Sequence, residues 1–368
     1  MISVLPKIPA HKAFRRFGFP KMMPLNLTVS VTYRCNSRCR TCHIYDKKAS
    51  ELSLEEFTQT FQSLGRAPYW LTISGGEPFL RKDIADICLR AYENCRPKII
   101  NLPTNGLLPD IIPNRVDQIA RRAPEAQVIV NLSLDDIGEK HDAIRRVPEN
   151  YERALETYSR LKGLKHPNLA VGIHSVISKY NVDHFPQVCL DLLKLRPDSY
   201  ITEIAEERVE LGTAGQDITP SPEEYAAAVG FLEARIREQR FAGISRVTQA
   251  FRLQYYSLVK RILAEKRQVL PCYAGFMSAQ IAPDGEVWAC CIKAESMGNL
   301  RDVGYDFRKI WHSEKAEAVR EPIRRRQCFC PLANAGYTNM LASYRTMGLV
   351  LKNLAAEKFR RRPASGAH

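Results

Sequence analysis

The sequence predicts an α/β chain, a parallel sheet flanked by helices, followed by a smaller α+β unit. Three observations predict it. Short apolar strand candidates alternate with helical stretches from Leu25 to about Glu207, and such alternation builds a parallel sheet with right-handed crossovers. The alternation stops after Leu211-Gly212-Thr213-Ala214-Gly215, where two long helical stretches replace it. Beyond Pro271, short strands return around Pro283-Asp284-Gly285, a turn signal that reads as a hairpin.

The strand candidates are 25–32, 70–75, 98–103, 126–134, 169–177 and 199–205. Helices are expected between them at about 53–65, 83–95, 111–123, 149–164 and 186–195. Ser53-x-x-Glu56 opens the first helix as a capping box, in which each side chain satisfies a free amide of the helix start. Ser221-Pro222-Glu223-Glu224 opens a helix over 221–240 in the same way, with proline at the first position. A second helix over about 247–267 follows. These elements divide the chain into a basic N-terminal arm (1–24), the α/β unit (25–215), a helical bridge (216–270), the small α+β unit (271–335) and a basic tail (336–368). Within the tail, Tyr344 to Phe359 reads as an amphipathic helix.

With 368 residues, 45% hydrophobic and 26% charged, the chain has the composition of a globular protein with a large core. Its 11 cysteines are odd in number and partly clustered like metal ligands. That pattern points to a reducing compartment, the cytoplasm, rather than a disulfide scaffold. Basic residues interrupt the apolar N-terminus, so it does not read as a signal peptide, and no run is long enough to span a bilayer. The net charge of +14 is concentrated at the ends: residues 1–26 carry +5 and residues 332–368 another +5. Such ends are either solubilising and disordered or a docking surface for an anionic partner. Phe14, Phe17 and Phe19 interleave with the charges, which favours peripheral contact with an acidic membrane over a nucleic-acid groove. A metal-binding nucleic-acid protein, the competing class, would use these ends as its footprint but leaves the motifs below unexplained.

Cys35-x3-Cys39-x2-Cys42 follows the first strand directly. Three thiolates on one loop can hold three corners of an iron–sulfur cube and leave the fourth iron open. A zinc site completed by His43 is the alternative, although zinc cysteines usually come as C-x2-C pairs. The next three strands end on Ser74-Gly75-Gly76-Glu77-Pro78, on Pro103-Thr104-Asn105-Gly106 and on Ser133-Leu134-Asp135. Parallel sheets bind ligands at the carboxyl ends of their strands, where all four motifs fall.

Over residues 25–207 these motifs resemble the radical S-adenosylmethionine (radical SAM) superfamily. The resemblance implies a partial (β/α)6 TIM-like barrel with a 4Fe-4S cluster on Cys35, Cys39 and Cys42. It also implies S-adenosyl-L-methionine held by Gly75, Gly76, Glu77, Pro78, Asn105, Ser133 and Asp135, with Glu77 in the motif that receives the methionine amino group. The C-terminal unit resembles a SPASM domain or its one-cluster form, twitch. By that likeness Cys272, Cys290, Cys328 and Cys330 hold a second, auxiliary 4Fe-4S cluster. Neighbouring strand residues point to opposite faces, so Cys290 and Cys291 do not readily face one cube. Cys290 has the family's spacing from Cys272, and Cys291 is left spare. Cys328-x-Cys330 departs from the family's usual C-x2-C, which leaves both three and four protein ligands open. Cys88, Cys95 and Cys189 fall in helical patterns and are expected in the core.

The resemblance further implies an oxidoreductase that reductively cleaves S-adenosylmethionine to a 5′-deoxyadenosyl radical and abstracts a substrate hydrogen atom. A net oxidation is expected, with the auxiliary cluster as electron acceptor and flavodoxin or ferredoxin as external reductant. The basic ends favour a phosphate-bearing metabolite or a lipid-linked sugar as substrate. A peptide is the alternative, although only 24 residues precede the first strand. Glu203, Glu206 and Glu207 either line the substrate cavity or form a solvated acidic face, and His174 is expected to be a satisfied barrel histidine.

Overall fold

The computed structural model describes residues 4–238 and 243–359. Arg360, Arg361 and Arg362 of the tail, and the last residues of the helix expected to reach 240, lie outside the described residues. Six parallel strands come first: β1 (Asn26–Ser30), β2 (Trp70–Ser74), β3 (Ile99–Thr104), β4 (Gln127–Ser133), β5 (Leu169–Ile177) and β6 (Ser199–Ile204). Three more follow, β7 (Ser278–Ile281), β8 (Glu286–Trp288) and β9 (Ser296–Asn299). All nine form one sheet in the order β6-β5-β4-β3-β2-β1-β7-β8-β9. The first six, with their crossover helices, make the expected partial barrel.

The helices are α1 (Ile8–Phe17), α2 (Leu54–Leu64), α3 (Ile84–Cys95), α4 (Ile112–Arg122), α5 (Gly138–Arg145), α6 (Asn150–Gly163) and α7 (Phe185–Leu193). After the barrel come α8 (Pro222–Glu238), α9 (Gly243–Glu265), α10 (Phe307–Trp311), α11 (Glu314–Arg324), α12 (Ala333–Leu341) and α13 (Tyr344–Phe359). The capping box at Ser53 and Glu56 forms as expected. Among the described residues no helix is long and apolar enough to cross a membrane.

Strand register divides the sheet into two faces. Leu27, Val29, Leu71, Ile73, Ile100, Leu102, Val128 and Val130 are fully buried and belong to the hydrophobic core. Alternate residues point the other way, and on that face Thr28 pairs with Thr72 and Gln280, Thr72 with Asn101, and Ser133 with His174. The Asn131 Nδ2 donates to Asn101 Oδ1 at 2.8 Å, and the Asn101 Nδ2 to Thr72 Oγ1 at 3.3 Å. The inner wall of the barrel therefore carries a laterally hydrogen-bonded row of polar side chains among apolar ones, whereas the outer wall is mainly apolar.

Two features depart from the reading of the sequence. The Pro283–Gly285 hairpin forms, with Gly285 at φ +89°, but β7 joins the barrel by pairing parallel to β1. Residues 1–24, expected as an arm, contain α1, which buries Ile8, His11 and Phe14. Phe14 packs edge-on against Phe276 at 5.5 Å, and Arg15 donates to the carbonyls of Cys272 and Arg324. Gly18, at φ +77°, ends this helix.

Candidate cluster and cofactor site

The loop after β1 crosses the carboxyl end of the barrel and is laced to three neighbouring segments. Gly76 N donates to Thr32 O at 2.7 Å and Glu77 N to Arg34 O at 2.9 Å. Arg38 N and Arg40 N donate to the carbonyls of Arg145 and Ile144 at the end of α5. His43 N donates to Leu211 O at 2.8 Å. The two glycines are dictated by this approach of one backbone to another. A Cβ on Gly75, at φ +134°, would stand 2.2 Å from Thr32 O, and one on Gly76 2.2 Å from Arg34 O.

The three thiols on this loop lie close enough to raise one another's proton affinity. Burial pushes Cys42 up to about 12 and Cys35 up to about 11, with Cys39 adding to both. Cys39 is raised by burial as well, against the pull of Arg145. Buried thiols of this kind ionise only where positive charge offsets the lost solvation, as iron does. Polar groups already point at the sulfurs: Ser37 N at 3.4 Å and Asn105 Nδ2 at 3.9 Å from Cys35 Sγ, and Arg145 Nη1 at 3.7 Å from Cys39 Sγ. Among the described residues no group of three or more His, Cys, Asp or Glu gathers tightly enough for a single metal ion. A cube, in contrast, takes one thiolate per iron. His43 Nδ1 lies 3.1 Å from Gln216 Nε2. The donor set fits an iron–sulfur cube.

The other residues singled out in the sequence fall around this loop. Glu77 is buried, and its carboxylate accepts from Phe79 N at 3.2 Å, Thr104 Oγ1 at 2.9 Å and Asn105 N at 2.8 Å. Burial nevertheless lifts it to about 7. Pro78 begins a short 3-10 turn that fixes Glu77 at its start. Asn105 donates to Asn36 Oδ1 at 2.8 Å and to Ser37 Oγ at 3.2 Å, and so clamps the loop. Ser133 sits on the inner wall beside His174. Asp135 is buried in an ion pair with Arg145 Nη2 at 2.7 Å and accepts from Val176 N at 2.8 Å. It therefore reaches the cysteine loop through Arg145. The sequence reading missed Arg145 because it missed α5. The buried residues of α5 are His141, Ile144 and Arg145, a mostly polar face that leaves no apolar periodicity.

A second group forms where the C-terminal unit meets the barrel. Burial pushes the Cys272 thiol up to about 12, and the thiols of Cys290 and Cys328 add to the effect. Cys330, also raised by burial, feels Glu206, Cys272 and Cys290. Cys272, Cys328 and Cys330 line one cavity with Tyr255 and Gln268, and Gln268 Nε2 lies 3.8 Å from Cys328 Sγ. Cys291 is buried beside Arg208 and Glu210 instead. Cys290 acts on the Cys272 and Cys330 thiols but lines a second cavity together with Cys291. Both lie beyond the end of β8, so alternation along a strand does not separate them. Cys88, Cys95 and Cys189 are buried in the core.

The acidic residues after β6 separate in space. Glu206 is buried against Arg208 at 3.2 Å, while exposed Glu207 accepts from Gly215 N. Glu203 is on the inner wall, with Oε1 3.7 Å from His174 Nε2. The His174 Nε2 is buried without a hydrogen bond, so this histidine is not the satisfied residue expected.

Residues 29–192 match the radical SAM superfamily, and residues 272–331 match SPASM, an iron-sulfur cluster-binding domain. The chain is a radical SAM protein with a SPASM domain. Its cofactors are accordingly a 4Fe-4S cluster with S-adenosylmethionine and auxiliary iron–sulfur. Pre-heme d1 synthase of Dinoroseobacter shibae is 31% identical over 46% of this chain and 39% of its own length. The matched stretch thus spans well under half of that relative. AlbA of Bacillus subtilis, described as the biosynthesis protein of the antilisterial bacteriocin subtilosin, is 24% identical over 92% of this chain and 70% of its own. Streptococcus suis SuiB, solved with the precursor peptide SuiA, shares the fold at TM-score 0.58 and 14% identity, over 81% of this radical SAM chain and 67% of SuiB.

Proposed function

We propose that this radical SAM protein abstracts a hydrogen atom from a substrate held against the inner wall of its barrel, in a net oxidation. The observation that carries the reading is the loop of three mutually interacting thiols, Cys39 buried and Cys35 and Cys42 half-buried, at the carboxyl end of that wall. Cys35, Cys39 and Cys42 would hold the first cluster. Bound there with S-adenosylmethionine, it supplies a 5′-deoxyadenosyl radical on one-electron reduction by a donor such as flavodoxin or ferredoxin. Glu77, buried and held by three donors, would accept the methionine ammonium, and that cation would return its carboxyl to the ionised form. Gly75 and Gly76 set the approach of this strand end to the loop. Asn105 fixes the loop itself, and Ser133 lies on the wall below. Asp135 acts through Arg145 as a positioning residue. The work of the chain is to hold reactants in register and to exclude competing hydrogen donors.

Cys272, Cys290, Cys328 and Cys330 would hold one auxiliary 4Fe-4S cluster, which supplies electron transfer beside the substrate space and supports the oxidative reading. The likeness to AlbA over most of the chain favours a peptide substrate. A phosphate-bearing metabolite or lipid-linked sugar is the second reading, favoured by the basic ends. Cysteines kept as thiolate ligands fit the cytoplasm, with peripheral contact to an acidic membrane through the two ends. Units bounded near residues 215 and 270 remain the working division of the chain. Anaerobic reconstitution should yield about eight irons per chain, and dithionite should then drive cleavage of S-adenosylmethionine. Iron-free protein, or a loaded protein without cleavage, would overturn the proposal.

A further inference from the structure

Arg252 is fully enclosed, with 2% of its surface exposed, yet its Nε and Nη1 have no hydrogen-bond partner. No carboxylate among the described residues forms an ion pair with it. Leaving a guanidinium buried and half-bonded costs several kcal/mol, and such groups are rare in native proteins. The surroundings are equally unfinished. The hydroxyls of Tyr225 on α8 and Tyr337 on α12 are buried without partners, and both interact electrostatically with Arg252. Tyr256, one turn along α9, hydrogen-bonds to Arg252 and meets Thr202 Oγ1 at 2.6 Å. Tyr337 is stacked on Tyr255 with ring centroids 5.2 Å apart.

The fold places this group beside the reaction space. α12 lies across the inner face of β1, where Asn334 donates to Thr28 Oγ1 at 3.3 Å and Asn26 donates to Thr338 Oγ1 at 3.4 Å. Glu203, the acid whose charge reaches Arg252 and Tyr337, stands on the inner wall against His174. Three groups with unmet polar atoms, Tyr225, Arg252 and Tyr337, are thus carried by α8, α9 and α12 and act on one another electrostatically.

We infer that Arg252, with the hydroxyls of Tyr225 and Tyr337, binds an anionic group of the substrate, a carboxylate or a phosphate. The inference rests on the substrate occupying the barrel, as proposed above. A guanidinium offers paired donors that match either oxyanion, and the tyrosines add neutral donors without a competing charge.

Thermal unfolding of the anaerobic, cluster-loaded full chain tests it, with inorganic phosphate, acetate and chloride titrated at constant ionic strength. Wild-type protein should be stabilised saturably by phosphate or by acetate but not by chloride, and whichever acts identifies the group. Arg252→Gln should lose that dependence, and Tyr337→Phe should weaken the apparent affinity several-fold. Arg252→Met, without added anion, should unfold no earlier than wild type, because it removes an uncompensated charge. Indifference of the wild type to both oxyanions overturns the site, as does a dependence that survives Arg252→Gln. Early unfolding of Arg252→Met overturns it too, since that result makes Glu203 the internal counter-ion. Cleavage of S-adenosylmethionine by the wild type is read separately, and its failure would sink the radical reading alone.

Discussion

Arg145 stands between a carboxylate and a thiol, and its loss would leave the carboxylate stranded. Asp135 is 2% exposed and Arg145 9%, so Arg145→Gln should cost about 3–5 kcal/mol, the usual result of breaking a buried pair from one side. Adding Asp135→Asn should restore most of it. Urea denaturation of the two single variants and the double variant checks the cycle. A cost below about 1 kcal/mol would mean the pair behaves like a surface ion pair. Gly76 makes a steric prediction. A methyl group there meets the backbone oxygens of Arg34 at 2.2 Å and Tyr33 at 2.7 Å, and backbone cannot swing aside as a side chain can. Gly76→Ala should destabilise by about 1–3 kcal/mol through overpacking and lower the iron retained, as read by iron analysis against wild type. The cysteine spacing and the two glycines were legible in the sequence because their chemistry is local. Arg145 and Arg252 were not, because the meaning of Arg145 lies in a partner 106 residues away, Cys39, and that of Arg252 in the burial of a guanidinium whose donors the fold meets only in part.

At the level of elements, α2 shows how a legible start signal acquires a second use. Glu56 closes the capping box, and it also receives Arg301 Nε at 2.9 Å and the Tyr305 hydroxyl at 2.6 Å from the segment after β9. These donors, Arg301 foremost, hold its carboxyl down at about 2 against an ordinary 4.5. Between those values the unfolded chain takes up a proton that the folded chain refuses. The contribution is therefore complete above pH 4.5 and is lost as pH falls through 2. Glu56→Gln should lower the melting temperature at neutral pH, and the gap from wild type should close over that acid range. A gap that stays constant from pH 6 to 2 would refute the assignment. The crossover helices were legible from apolar periodicity and caps. α5 escaped for want of an apolar stripe, and α1 because its buried face includes His11 among charged neighbours. The pairing of β7 with β1 is a long-range contact that no local pattern announces.

In the whole molecule, α1 and the start of α13, far apart in sequence, become neighbours. The Lys12 ammonium of α1 lies 3.6 Å from the ring centroid of Tyr344, which opens α13. Arg324 Nε donates to Arg15 O at 2.8 Å, which brings the basic end of α11 to the same place. Arg16, Lys21, Arg325 and Arg326 are exposed around this junction, with Phe17 71% and Phe19 75% exposed beside them. Exposed aromatics among cations suit a bilayer interface, where the rings enter the headgroup layer and each cation near an anionic surface contributes about 1 kcal/mol. Sedimentation with vesicles of phosphatidylglycerol and phosphatidylcholine should show binding at low salt that fades as salt screens the charges. Binding to phosphatidylcholine alone should be weak. Replacing Phe17 and Phe19 with serine should reduce binding at every salt concentration, whereas Lys21→Glu with Arg16→Glu should reduce it most at low salt. If the protein stays in the supernatant with anionic vesicles at low salt, the junction of the two ends serves folding alone, and its charge answers to solubility.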